Sequence, residues 1–324
     1  MTIPDPRGEA QHVVGDRYDV RVLEPSPPAV RAEPFSDDPT ARGTVRPDRQ
    51  LLSPVSDGDL TWDDYCREHP EHADWCAQRW LGAWRTLQPI ADRDALTRTL
   101  DAWHTIADRV VAKARYDANG KIGLRWTAGG VATPFFADDE QVRVDGAFVV
   151  HVHDGQVAAE PITTLGQVAA FVGVQPGVPG DLYPATTDPD PARPLEIDVA
   201  AAQFLSDWYG FATSVLAELR AVPSATPPSL VQLWPEHLDV SVDCGDDHRR
   251  ARATYGASPG DAQHDQPYLY LSVTDDAIDR RDAFWNDVFG ASLPYDDLVG
   301  GTDHRKAAFA FFEAGAARLL RHPR

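Results

Sequence analysis

The chain has 324 residues, 43% of them hydrophobic with 9 Trp and 12 Phe, which supports a sizeable core and excludes a disordered composition. Its formal net charge of −20, from 50 acidic and 30 basic residues, repels phosphate backbones and argues against nucleic acid as a partner. No stretch approaches the ~18 consecutive apolar residues of a membrane span, MTIPDPRGEAQ lacks the basic head and apolar run of a signal peptide, and the cysteines are few (Cys66, Cys76, Cys244), so a soluble cytoplasmic protein with no membrane partner is expected.

Residues 1–60 are rich in Pro, Asp and Arg. RYDVRVLEPSPP offers one short strand and then stops, because Pro fixes φ and removes ladder donors, so an extended arm is expected. Helical signals begin near Trp62, in a stretch that Pro70 divides into two pieces. From Asp94 to Arg115 the residues Leu96, Leu100, Trp103, Ala107, Val110 and Ala114 recur at helical spacing as one apolar stripe, and DANGK closes the helix. A strand-rich block follows in KIGLRWT, QVRVDG and AFVVHVHDG, with Asp145-Gly146 and Asp154-Gly155 as hairpin signals. TTLGQVAAFVGV reads as a helix ending near Gly173, and residues 175–195 form a Pro-rich internal linker.

Beyond the linker, Asp198 caps a helix running to Arg220, with Phe204, Trp208, Phe211, Val215 and Leu219 as its stripe. Strands are expected at 230–243, around 249–255 and at 267–273, then a short helix around 282–289 and a terminal helix at about 303–321. Strands come in consecutive hairpin-like runs rather than alternating singly with helices. That order predicts an α+β fold of antiparallel sheet with packed helices, organised as an extended arm (1–60) and a single domain (61–324).

Three motifs invite chemistry. Gly256-Ala257-Ser258-Pro259-Gly260 matches the G-x-S-x-G of a nucleophile elbow. Pro259 has no N–H for an oxyanion, and GDAQHDQP is no helix, so Ser258 is read as part of a turn. Cys66, His69, His72 and Cys76 are zinc-type ligands, but on a continuous helix the two Cys stand ~15 Å apart along the axis. Only a break at Pro70 brings some of them together. His151 and His153 share one face of a strand and can share a metal, but the third ligand it needs is not pointed to by the sequence, and a polar hairpin face is the expected account.

The tract SLVQLWPEHLDVSVDCG carries the strongest signal for a site. Pro235 inside an apolar strand demands an edge, a bulge or a bend. Beyond it Leu238, Val240 and Val242 share one face, and His237, Asp239, Ser241 and Asp243 the other. His237 and Asp239 can pair there, which would fix the imidazole tautomer, and Glu236 falls on the apolar side unless the bulge re-aims it, where it would acquire the raised pKa of a general acid or base. In an antiparallel meander the loop from Tyr255 to His264 brings Asp261 and His264 to the bend. The expected catalytic set is Glu236, His237, Asp239, Asp261 and His264. Trp234, Tyr255 and His104, which sits beside the stripe of its helix, are the expected ligand contacts. The cofactor is unknown, and no metal is assigned to this set.

The strings AWHTIADRVVAKARYDANGKIGLRWTAGG, PITTL, PSLVQLWPEHLDVSVD and YGASPGDAQHDQPYLYLSV, in that order, resemble a group of uncharacterised bacterial hypothetical proteins. The tract LWPEHLDVSV…YGASPGD…PYLYLSV is similar to a broader domain of unknown function. The resemblance covers about residues 95–315 and implies one unit across the linker, but no activity. Two functions are expected as alternatives, with a divalent metal binder using HVH or the 66–76 segment as a third and weaker reading. One is a small-molecule pocket between the 234–239 bend and the 255–264 loop, doing acid–base or metal-assisted hydrolytic chemistry. The other is a non-enzymatic interaction module that presents Tyr268 and Tyr270 to a protein partner or a second copy.

Overall fold

The structure, a computed structural model, describes residues 51–55, 58–61, 70, 84–127, 129–134, 136–137, 140–153, 156–180, 189–220, 226, 228–249, 251–273 and 281–321. The first 50 residues of the expected arm, the 66–76 ligand cluster apart from Pro70, and the Asp154-Gly155 turn lie outside the described residues. The last residues of the expected arm pair as an antiparallel hairpin of β1 (Leu51–Val55) and β2 (Gly58–Thr61).

Helix α1 (Arg93–Ile106) starts where the Asp92 carboxylate accepts the Ala95 N–H at 2.9 Å. It runs through a wide π turn (Ala107–Val111) into α2 (Ala112–Asn119), which stops at Gly120 with φ 75°. The single α-helix expected over 94–115 is therefore interrupted. The π turn keeps Ala107 and Val110 in the core and buries Asp108 and Arg109 as well. The Arg109 carbonyl accepts the N–H of Gly177, which pins the linker to this turn.

Five strands follow in sequence: β3 (Arg125–Thr127), β4 (Gly130–Ala132), β5 (Gln141–Asp145), β6 (Phe148–His153) and β7 (Gln156–Pro161). Each pairs antiparallel with the next, and α3 (Leu165–Val172) closes the half between a Thr164 cap and Gly173. The second half repeats the plan. Helix α4 (Val199–Arg220), capped by Asp198 through the Ala201 N–H, leads into β8 (Gln232–Trp234), β9 (Asp239–Cys244), β10 (Ala253–Ser258), β11 (Tyr268–Ser272) and β12 (Gly290–Pro294). A short α5 (Tyr295–Leu298) and the long α6 (His304–Arg321) end it. The fold is α+β, with two five-stranded antiparallel sheets and packed helices.

The helix expected around 282–289 is not formed. Asp282 accepts the Phe284 N–H and Asp287 the Val288 N–H, local bonds that favour turns over a helix. The sheets meet edge to edge where Leu124 and Leu233 exchange backbone hydrogen bonds of 2.7 and 2.9 Å. The first strands of the two meanders are thus antiparallel neighbours.

Helix α4 packs on α1, on β3 and β4 of the first sheet, and on β9 and β10 of the second. Leu205, Trp208, Phe211 and Val215 on it are fully buried. Its flank also makes polar ties to both sheets. The Trp126 indole donates to the Ser206 carbonyl at 2.8 Å, the Trp208 indole to the Ser258 carbonyl at 3.0 Å, and the Tyr209 hydroxyl to the Leu238 carbonyl at 2.7 Å. Among the described residues no helix is long and apolar enough to cross a membrane.

Candidate functional site

Leu238, Val240 and Val242 point into the core against α4, so the other face of β9 carries Asp239 and Ser241 outward. Outward is not exposed here: Asp239 keeps 8% of its surface and Ser241 5%. The register lines up Ser241, Gly256 and Tyr270 on adjacent strands. Gly256 is what makes this row work. A Cβ there would lie 2.3 Å from Cζ of Tyr270, so only glycine lets the ring lie across β10. The Tyr270 hydroxyl thereby reaches the Asp239 carboxylate and donates to it. Beside them the Trp234 indole donates to the Ser241 hydroxyl at 3.0 Å.

Burial, opposed by the Tyr270 hydrogen bond and by the charge of His237, holds the Asp239 carboxyl above the ordinary carboxylate range. Burial and the Asp239 charge together push the Tyr270 and Tyr209 hydroxyls well above theirs. Among the described residues Asp239 is therefore a desolvated carboxyl in direct contact with a phenol, a donor–acceptor pair suited to proton transfer.

A second group adjoins it through aromatic contact. Tyr268 lies 6.1 Å from Tyr270, ring to ring, and donates to Asp261 at 2.6 Å. His264 stands between two carboxylates, with Nδ1 3.1 Å from Asp261 and Nε2 2.8 Å from Asp287. Burial pulls the His264 pKa down, but the bonds to Asp287 and Asp261 outweigh it and raise it. Burial pushes Asp261 up, and the bonds from Tyr268, the Gln263 and His264 N–H groups and the His264 ring bring it below its ordinary value. Both His264 nitrogens are committed, which suits holding the loop better than abstracting a proton. Phe289 stacks on Tyr268 at 6.2 Å and closes the aromatic edge.

The structure thus brings Asp239, Asp261 and His264 into one run of contacts through Tyr270 and Tyr268, with Trp234 alongside. It places the other expected residues elsewhere. Tyr255 faces the opposite side of β10 and packs edge-on against Phe312 at 5.6 Å, because its register parity is that of the core residues Ala253 and Ala257. Glu236 and His237 are exposed at the bend, 3.8 Å from one another, and no hydrogen bond joins His237 to Asp239. Glu236 does not enter the apolar side, because Leu238 takes a left-handed φ of 50° and the chain turns outward before β9 begins. His104 acts on the backbone, its Nε2 lying 3.0 Å from the Glu236 carbonyl. Together with Tyr209 on the Leu238 carbonyl it fixes the bend from two helices. Ser258 ends β10 and leads into a loop, and its hydroxyl accepts the Gly260 N–H at 3.2 Å.

Asp287 and Gly256 are not singled out by the sequence as members of a site, and Tyr270 is singled out there only as part of a partner-binding surface. The signal for Tyr270 was its alternation with Leu269 and Leu271. In the first sheet, Glu140, His151 and His153 form a separate cluster, the only group of metal-ligand type among the described residues. The comparisons with family models, with curated proteins and with solved structures each find no match to this chain.

Proposed function

We propose that this chain binds a small molecule against the outward face of β8–β11 and that Asp239 with Tyr270 supplies acid–base chemistry to it. One observation carries the reading: a carboxyl 8% exposed, held above its ordinary range by burial, with a tyrosine hydroxyl bonded to it. Function concentrates where burial and a specific partner perturb an ionisable group. Trp234, Tyr268, Tyr270 and Phe289 supply the aromatic surface on which an organic ligand rests. The alternative interaction surface is less favoured, since Tyr268 and Tyr270 direct their hydroxyls to Asp261 and Asp239. The proposal includes action in the cytoplasm. In its support, the chain has only three cysteines, of which Cys244 is a free thiol.

A thermal-shift screen against a metabolite panel tests the reading, because a ligand at 100 times its Kd stabilises the native state by about 2.7 kcal/mol. The shift is expected for the wild type and is lost in Asp239→Asn and Tyr270→Phe. A ligand whose shift survives in both variants binds elsewhere and overturns the assignment.

A further inference from the structure

The β5–β6 hairpin assembles a second set of reactive side chains on the other half of the chain, independent of Asp239. Asp145 pairs with Phe148, Val142 with His151 and Gln141 with Val152, so one step further along the ladder Glu140 comes opposite His153. Glu140 is fixed at the backbone, where it exchanges two 2.8 Å hydrogen bonds with Phe136. Its two carboxylate oxygens divide between two imidazoles. Oε1 lies 2.9 Å from His151 Nε2 and Oε2 3.8 Å from His153 Nδ1. The His151 ring is held edge-on by Phe171 of α3 at 6.3 Å.

An ordinary imidazole–carboxylate pair accounts for the first contact. It does not account for a second imidazole turned to the other oxygen of the same carboxylate. We propose that Glu140, His151 and His153 bind one divalent transition cation, Zn2+ above all. One ligand atom from each residue lies within 4.8 Å of the other two. Around a tetrahedral centre with bonds of about 2.0–2.1 Å, ligand atoms sit about 3.3 Å apart, so small side-chain rotations close the set. Two nitrogens and one carboxylate select a zinc-like ion over Ca2+ or Mg2+, which take oxygen. The side chains of His151 and Glu140 are 16% and 21% exposed and form the fixed floor, while His153 at 61% is the arm through which an ion enters. Three protein ligands leave a coordination position to water.

The test uses the untagged full chain, stripped with a chelator and titrated with Zn2+ by calorimetry and with Co2+ by visible absorption. Expected are one Zn2+ per chain, a Co2+ spectrum of a four-coordinate nitrogen and oxygen site, and at least about a 10-fold loss of Zn2+ affinity in both His153→Ala and Glu140→Gln. The exposed His153 is replaceable without disturbing the hairpin, and Glu140→Gln keeps the side chain's shape and the backbone pair with Phe136; circular dichroism confirms folding of both. A chain this acidic collects divalent ions loosely anywhere. Wild-type affinity no better than about 0.1 mM, or equal affinity in wild type and both variants, overturns the proposal.

Discussion

Replacing Tyr270 with Phe removes one oxygen and leaves the ring in place over Gly256. Asp239 keeps its burial and loses the hydroxyl that donates to it. A hydrogen bond to a charged group contributes about 1.5–3 kcal/mol, and a buried acceptor left unmatched costs about 1–3 kcal/mol, so a loss of about 2 kcal/mol is expected where Asp239 is ionised. The pH dependence has a definite sign. Asp239 has a folded pKa above its unfolded value of about 3.9, so the folded state binds the proton more tightly and stability falls as pH rises from the unfolded to the folded pKa. The Tyr270 bond lowers that folded pKa against the effect of burial, and its removal makes the fall larger and carries it to higher pH.

Wild type and Tyr270→Phe are therefore expected to differ little in acid, where Asp239 is protonated in both states, and to diverge as pH rises. The assay is urea unfolding followed by tryptophan fluorescence across that range. Thermal melting gives the same answer as a difference of about 4 °C at alkaline pH, taking about 2 °C per kcal/mol for a long chain. A stability difference that does not change with pH, or none at any pH, would refute a hydrogen bond to a buried ionised carboxylate.

The other expectations use the same network. Gly256→Ala puts a Cβ 2.3 Å from Tyr270 Cζ, displaces the ring, and is expected to reproduce the pH profile of Tyr270→Phe; a wild-type profile would show that the ring does not depend on the missing Cβ. Asp239→Asn removes the desolvated charge while its amide oxygen still accepts from Tyr270, so melting at alkaline pH is expected to rise above wild type as ligand shifts disappear; lower stability at every pH counts against it. His264 has a raised folded pKa, so its contribution is full below the ordinary imidazole value of about 6.5 and is lost as pH rises through the folded one. Asp261 has a lowered one, so its contribution is full above about 3.9 and is lost as pH falls through the folded value. His264→Gln is accordingly expected to destabilise more at mildly acid than at alkaline pH by thermal melting, and equal losses at both would remove the imidazolium from the account.

The parts of the fold that could be read from the residues are those fixed locally. The stripes of α1 and α4, the caps at Asp198 and Gly173, and the alternation of Leu238, Val240 and Val242 all follow from period and side-chain chemistry. β4, β7 and β12 escape because GVA, QVAAEP and GASLP are short or rich in small residues, and their strand state is imposed by neighbours in the sheet. The G-x-S-x-G string shows the difference most clearly. Its first glycine answers to Tyr270 across a strand pair, and its second, Gly260 at φ 108°, turns the loop. The motif describes a close approach and a turn; Pro259 and Gly260 make the turn legible, but the approach of Tyr270 to Gly256 is set by a partner strand that a five-residue pattern does not contain. Glu140 was within reach of the sequence. With Asp145-Gly146 as the turn signal, any two-residue hairpin loop there puts Glu140 on the face of His151 and His153, and the turn formed at Gly146 and Ala147 sets it opposite His153.

The two halves share one plan yet place their reactive side chains on opposite faces of equivalent strands. β6 and β11 are each the fourth strand of a meander. On β11, the 18-residue α6 covers the inner side, so Leu269 and Leu271 fill it and the polar pair Tyr268 and Tyr270 must face outward. On β6, the closing helix α3 has only 8 residues. It reaches His151 through Phe171 but leaves His153 with 61% of its side chain exposed, so the inner side ends in polar ligands instead of core. Helix length sets how far along a strand an apolar face must continue, and polar chemistry appears where that cover stops. Lengthening α3 by one apolar turn would extend the core toward His153 and remove the opening on which a metal site there depends.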